Sequence, residues 1–250
     1  MRNYKVTLEY DGTNYSGLQF QKNDRNTIHE AVFLALSKLL CGKVRDLSFC
    51  GRTDGGVHAF GQVFNVKTDF DFTFPEGKLA LGLNYHLRGQ AISAVDSVEV
   101  PLEFHARFSC KSRTYKYKIL NRSVKSPIYA NRAWFLPYKF RLEDLREILQ
   151  TFVGKHDFAD FRASECSSPV TIRDVNLVNV AVSSDDIIEI TISAPSFLYQ
   201  MVRGIIGASI DCVRGKFALE QISKSLKNPE GKHFFQFAPP CGLYFLKADF

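Results

Sequence analysis

The chain has 250 residues, 45% hydrophobic and 23% charged, which is the make-up of a globular protein with a sizeable core in one large or two small domains. No run of eighteen apolar residues offers a membrane span, and the opening MRNYKVTLEY enters strand pattern without a signal-peptide core, so a cytoplasmic protein is expected. The net charge of +6 is modest, and six scattered cysteines without C-x-x-C predict reduced thiols rather than a disulfide or zinc framework.

In chain order, residues 4–10 alternate as a strand, and Thr27-Ile28-His29-Glu30 is a capping box. It opens a helix with Ile28, Val32, Ala35, Leu36, Leu39 and Leu40 at helical period, ended by Gly42. Strands at 47–50 and 59–67 flank a glycine-rich loop, and a helix around 75–85 and a strand at 92–98 complete the first half. The second half reads as a strand at 114–120 and a helix through Leu142, Leu145, Ile148, Leu149 and Phe152 that stops near Gly154. Paired strands at 175–182 and 187–193 follow, joined by a Ser-Ser-Asp-Asp turn, then a long helix at 197–213 and a closing strand at 243–247. The expected fold is α+β: two ferredoxin-like (RRM-like) βαββαβ units, residues 1–104 and 105–250. They would share one extended, mainly antiparallel sheet with helices on one face and a central cleft.

The loop Gly51-Arg52-Thr53-Asp54-Gly55-Gly56 holds one carboxylate beside an arginine and two glycines. Asp-Gly and Gly-Gly are common turn dipeptides, so a structural turn is the simpler account. Six residues exceed a minimal turn, however; Gly55 and Gly56 would admit a bulky ligand to the backbone, and Arg52 would keep Asp54 ionised. Nucleotide-binding glycine motifs, H-E-x-x-H and the Gly-x-Ser-x-Gly elbow are missing from the sequence. From Arg107 to Lys125 lie seven basic residues and no acid, a charge of +7 against +6 for the whole chain. Such a stripe suits a polyanion-binding face or a solvated edge strand. Within it, alternation puts Arg113, Tyr115 and Tyr117 on one face and Thr114, Lys116 and Lys118 on the other, as in a base-stacking platform or a tyrosine-rich core strand. In the long helix Arg203 falls off the apolar stripe, on the side of Tyr199 and Gly207. Gly204 and Gly207 cost helix stability, and close approach by a ligand or another backbone would account for them.

Several stretches together resemble the TruA-type tRNA pseudouridine synthases: Tyr10-Asp11-Gly12-Thr13 to Gln21, the loop Gly51-Arg52-Thr53-Asp54 through Val63, and Phe104-His105-Ala106-Arg107-Phe108-Ser109 with Arg113-x-Tyr115-x-Tyr117. Gly154-x-His156-Asp157-Phe158 with Phe161-Arg162-Ala163, then Met201-Val202-Arg203, then Gly242-Leu243-Tyr244 extend the likeness along nearly the whole chain, in order. The resemblance implies isomerisation of uridine to pseudouridine on the 3′ side of the tRNA anticodon stem-loop (family positions 38 to 40), with no cofactor and no metal. It makes Asp54 the essential catalytic carboxylate, as nucleophile or base, with Arg52 and Arg203 ordering it or meeting phosphate. Tyr115 would stack on the flipped base, Leu243 would wall the uracil pocket, and Arg107, Arg113 and Lys116 would bind the RNA. A homodimer working on tRNA, with no membrane association, completes that picture. The chain departs from the family's habit at Leu18 (Trp), Gly55 (Ala), Gly204 (Asn) and Arg88-Gly89-Gln90. Two rivals stand beside it. A non-catalytic RNA-binding or RNA-chaperone protein would leave Asp54 without a role. A glycoside hydrolase would need a second acid, for which Asp157 and Asp160 are the candidates.

Overall fold

The computed structural model describes residues 1–21, 26–183 and 186–250. It divides into two compact units, Met1–Arg113 with Tyr244–Phe250, and Thr114–Leu243. The first therefore extends past residue 104. Asn3 Nδ2 donates to the carbonyls of Pro101 and Phe104, and Lys111 N donates to Asp249 O, which tie this stretch to the N-terminal sheet.

In the first unit β1 (Arg2–Tyr10), α1 (Ile28–Leu39), β2 (Val44–Phe49), β3 (His58–Thr68), α2 (Lys78–His86) and β4 (Ile92–Val100) follow the ferredoxin-like order. The strands run antiparallel as β4-β1-β3-β2. Alternation along β1 sends Tyr4, Val6 and Leu8 to one face, opposite Val66, Phe64 and Gln62 of β3. All six are buried, together with Ile28, Val32 and Leu36 of α1 and Leu79 and Leu83 of α2. Each fully buried apolar side chain contributes about 1.5–3 kcal/mol. Thr27 caps α1 as its sequence signals, its hydroxyl accepting from Glu30 N at 3.2 Å. The second helix starts at Lys78 rather than residue 75, because Gly77 before it is left-handed (φ 73°). The last strand, β11 (Leu243–Asp249), lies parallel to β3, with Tyr244 and Phe245 opposite His58 and Ala59.

The second unit holds β5 (Ser112–Asn121, from Thr114 on), β6 (Trp134–Leu136), α3 (Leu142–Gln150), β7 (Gly154–Asp157), β8 (Ile172–Val175), β9 (Leu177–Val182), β10 (Ile187–Ala194), α4 (Met201–Val213) and α5 (Leu219–Lys227). Its sheet runs β5-β10-β9, with β6 parallel to β5, and β7 and β8 form a separate antiparallel pair. The expected strand at 175–182 is broken at Asn176, whose N–H turns to Ser193 O. The Ser-Ser-Asp-Asp turn falls partly on residues outside those described. Helix α4 begins four residues later than expected because Gln200 is left-handed (φ 59°) and ends any helical run before Met201. Helix α5 was not read from the sequence; in it only Ile222, Ser225 and Leu226 are buried.

One face of α4 settles what its glycines do. Arg203, Gly207 and Asp211 recur every four residues, and all three meet the segment 236–238. Arg203 Nε donates to Ala238 O (2.8 Å), Ala238 N donates to Arg203 O (3.1 Å), and Asp211 Oδ2 accepts from Gln236 N (3.1 Å). A Cβ on Gly207 would overlap Gln236 O, and one on Gly204 would overlap Phe161 O. The glycines thus admit backbone. Gly207→Ala should destabilise the protein by about 3 kcal/mol or more, since neither backbone yields easily. Gly215→Ala, with open space around it but φ 72°, should cost only about 1 kcal/mol. Urea unfolding of the two variants measures the contrast.

Candidate active site

Between β2 and β3 the chain leaves sheet geometry for residues 50–57, and several of its carbonyls are held from outside. Cys50 N donates to Val63 O (2.8 Å), and Cys50 O accepts both Nε (3.2 Å) and Nη2 (2.9 Å) of Arg113. Gln62 Nε2 donates to Gly51 O (3.0 Å), and Leu18 N donates to Thr53 O (2.9 Å). Inside, the Thr53 and Tyr10 hydroxyls are 2.7 Å apart. Asp54 forms an isolated antiparallel bridge with Gly17, and its carbonyl accepts from Val57 N (3.2 Å). That closes a turn whose third residue, Gly56, has φ 77°, a place suited to glycine. Asp54 is half-buried and Arg52 is exposed.

The first loop of the chain is the other wall. A Cβ on Gly12 would overlap Val57 O, and Gly17 (φ 111°) lies against Thr53 O and Gly55 N. Gly12 N donates to Nδ1 of the buried His58 (3.1 Å), whose ring stacks on Tyr244 at 4.7 Å. Read from the sequence as an ordinary structural or surface residue, His58 is a pivot between the two loops. Burial pushes the Tyr10 phenol up to about 12, with the Thr53 hydrogen bond opposing. At Gly55 an added Cβ would stand 3.3 Å from Tyr15 O, so an alanine there fits with a small adjustment.

Arg107 and Arg113 belong to the same unit as Asp54. Two buried amides hold the turn that carries Arg107: Asn65 Nδ2 donates to Asn3 Oδ1 (3.1 Å), and Asn65 Oδ1 accepts from Ala106 N (2.8 Å). Besides gripping Cys50 O, Arg113 Nη2 donates to Arg107 O (2.8 Å). One guanidinium therefore braces both the Asp54 loop and the turn that carries the exposed Arg107.

Tyr115, Lys116, Arg203 and Leu243 lie in the second unit. Tyr115 is 8% exposed and meets Phe197 edge to face at 5.2 Å. On the opposite strand face Lys116 Nζ is paired with Glu189 (2.7 Å), with Lys118 3.8 Å from the same carboxylate. Arg203 is half-buried against Ala238. Beyond Ala238, Pro239 O accepts from Tyr117 OH (2.7 Å), and Gly242 is so close that a Cβ would stand 2.7 Å from the Tyr117 ring. This clamp sets the buried Leu243. Burial drives the Tyr117 phenol far above its ordinary value.

The acids proposed for a second carboxylate are occupied. Asp160 is 3% exposed and accepts from Ser225 Oγ (2.6 Å), Gly231 N (2.6 Å), and Glu230 and Lys232 N (3.2 Å each). Asp157 caps Ala159 N (3.0 Å). Both carboxylates serve the backbone, which leaves a glycosidase-type pair unsupported.

A family model described as tRNA pseudouridine synthase matches residues 148–250. The chain is 37% identical over 249 residues to tRNA pseudouridine synthase A of Ehrlichia chaffeensis, covering 99% of each chain. It is 38% identical to the protein of that name from Thermoanaerobacter sp. (99% of each), and 35% identical to that from Rhodopseudomonas palustris (100% of each).

The buried tyrosines predict a pH dependence of stability. An unfolded tyrosine titrates near 10. With Tyr10 raised to about 12, its contribution is complete below pH 10 and lost as the pH climbs toward 12, about 2–3 kcal/mol in all. Tyr10→Phe should flatten part of that decline while losing about 1 kcal/mol at pH 7 with the Thr53 hydrogen bond. Unfolding free energies measured at several pH values from 7 to 11.5 test both slopes.

Proposed function

We propose a division of labour for this chain, which belongs to the tRNA pseudouridine synthase A family and isomerises uridine to pseudouridine in tRNA. The reaction breaks the N1–C1′ bond, turns the uracil, joins C5 to C1′, moves the C5 proton to solvent and leaves N1 protonated. Asp54 is the carboxylate that starts it, by attack on C1′ or by removing a ribose proton. The observation that carries this reading is the hold on residues 50–57. A loop whose carbonyls are gripped by Gln62, Arg113 and Leu18 presents a single half-buried acid beside two glycines. Such preorganisation positions a reacting group without cost at the moment of reaction.

Arg52 and Arg203 keep the Asp54 carboxylate ionised or meet the phosphate of the flipped nucleotide. Tyr115 stacks on the target base, Leu243 lines the uracil site, and Arg107 contacts the RNA backbone. Arg113 acts through the two carbonyls it holds. Lys116 would have to exchange Glu189 for phosphate in order to touch RNA, so its share is the smallest. The substrate is the 3′ side of the anticodon arm, and the working form is a cytoplasmic homodimer. Among the described residues no helix is long and apolar enough to cross a membrane. The non-catalytic RNA-binding alternative is not supported by the relatives and gives Asp54 nothing to do.

Release of tritium from tRNA labelled at uridine C5 tests the assignment. Wild type should release it, while Asp54→Asn should bind tRNA with similar affinity and release it at least about 10³-fold more slowly. Release by Asp54→Asn at the wild-type rate would remove Asp54 from the chemistry.

A further inference from the structure

Phe108 is 77% exposed, more than any other aromatic side chain among the described residues. It is nevertheless not on a loose segment. The turn 104–109 is closed by Ser109 N to His105 O (2.8 Å), His105 N to Ser109 Oγ (3.1 Å) and Arg107 N to His105 Nδ1 (3.1 Å). Asn65 fixes it from below through Ala106 N, and Arg113 fixes it through Arg107 O. The His105 ring lies 4.4 Å from the Phe108 ring, and the Arg107 guanidinium carbon is 5.7 Å from its centroid.

A rigid turn that holds one aromatic ring in water beside an arginine is unsuited to a protein interface, which needs a broad apolar centre. It matches one nucleobase with its phosphate. We propose that Phe108 is a stacking platform for an unpaired base of the substrate RNA other than the target uridine, with Arg107 on the neighbouring phosphate. The inference rests on the tRNA reading given above. Arg113 holds this turn and Cys50 O with the same guanidinium, so the platform is coupled to the start of the Asp54 loop. The ring adds binding that is the same in ground and transition states, so its loss acts on KM and spares kcat.

The test is steady-state tritium release from C5-labelled tRNA by Phe108→Ala, Phe108→Leu and Phe108→Trp, with thermal unfolding of each. Loss of a stacked base should raise KM about tenfold in the alanine and leucine variants with kcat within about twofold. Tryptophan should restore KM, since every base has a π-face. The melting temperature should hold, because so exposed a ring buries little. An unchanged KM for Phe108→Ala, or rescue by leucine as complete as by tryptophan, overturns the platform. Wild-type release reports separately on the reading beneath it. Were wild type to bind tRNA without release, the dissociation constants of the same variants would decide the inference on the same tenfold criterion.

Discussion

The position of Asp54 depends on how eight residues of irregular backbone satisfy their hydrogen bonds. Cys50 to Val57 cannot use a regular sheet ladder, and unpaired buried peptide groups would cost about 1–3 kcal/mol each. Three neighbours solve the problem: Arg113 for Cys50 O, Gln62 for Gly51 O and Leu18 N for Thr53 O. Arg113 is the most consequential because its fork also reaches Arg107 O. A lysine there would offer a point charge and lose the geometry that serves two carbonyls at once. The carboxylate's placement is therefore a property of the surrounding fold and is only weakly encoded in the loop itself.

Glycine performs one task in both units, letting backbone press on backbone. Gly12 meets Val57, Gly207 meets Gln236, and Gly242 meets Tyr117 and Lys118 O. In each case a residue proposed for the site is near in sequence: Asp54 three positions before Val57, Arg203 one turn before Gly207, Leu243 next to Gly242. The packing energy sacrificed by omitting a side chain is small beside the positional certainty gained, since a backbone contact has no rotamer to adjust. Gly204 takes this furthest. At this position Phe161 O occupies the space a Cβ would need. Helix α4 is accordingly seated on that segment without an intervening side chain.

Much of this was legible in the sequence, and what was not has definite physical causes. Periodicity located α1, and local hydrogen-bonding chemistry identified its cap at Thr27. Alternation located β1, which buries one face, while β3, buried on both faces, was read from its apolar run. The start of α4 was misplaced because Phe197 and Leu198 continue its apolar stripe, while the left-handed Gln200 that stops the helix carries no composition signal. Helix α5 was missed because Ile222 and Leu226 give too sparse a stripe among charged residues. For the site, Asp54 stood out as an isolated acid among glycines. The roles of His58, Asn3 and Asn65 did not, because a histidine or asparagine gains meaning only from the loop folded against it. Phe108 hid for the opposite reason: a sequence does not tell an exposed phenylalanine from a core one.

The basic stripe shows how far composition carries and where structure takes over. Seven cations in succession suggest one polyanion-binding surface. In the fold they are divided. Arg113 is committed to two carbonyls, Lys116 and Lys118 share Glu189, Arg122 Nε turns back to Val124 O, and Lys125 lies over the Phe135 ring. Arg107, Lys111 and Lys125 remain exposed, the first two before the strand that carries Tyr115. Since each phosphate neutralised adds about one unit to the salt dependence of binding, a stripe of seven cations available to phosphate and one of three are very different electrostatic objects. More than half of the stripe's cations are engaged within the protein, and under the proposal above direct attraction for RNA falls to the turn where Arg107 stands beside Phe108. On that proposal, recognition on this face would join one guanidinium to one ring, and apolar stacking would supply what lysines already paired with Glu189 cannot.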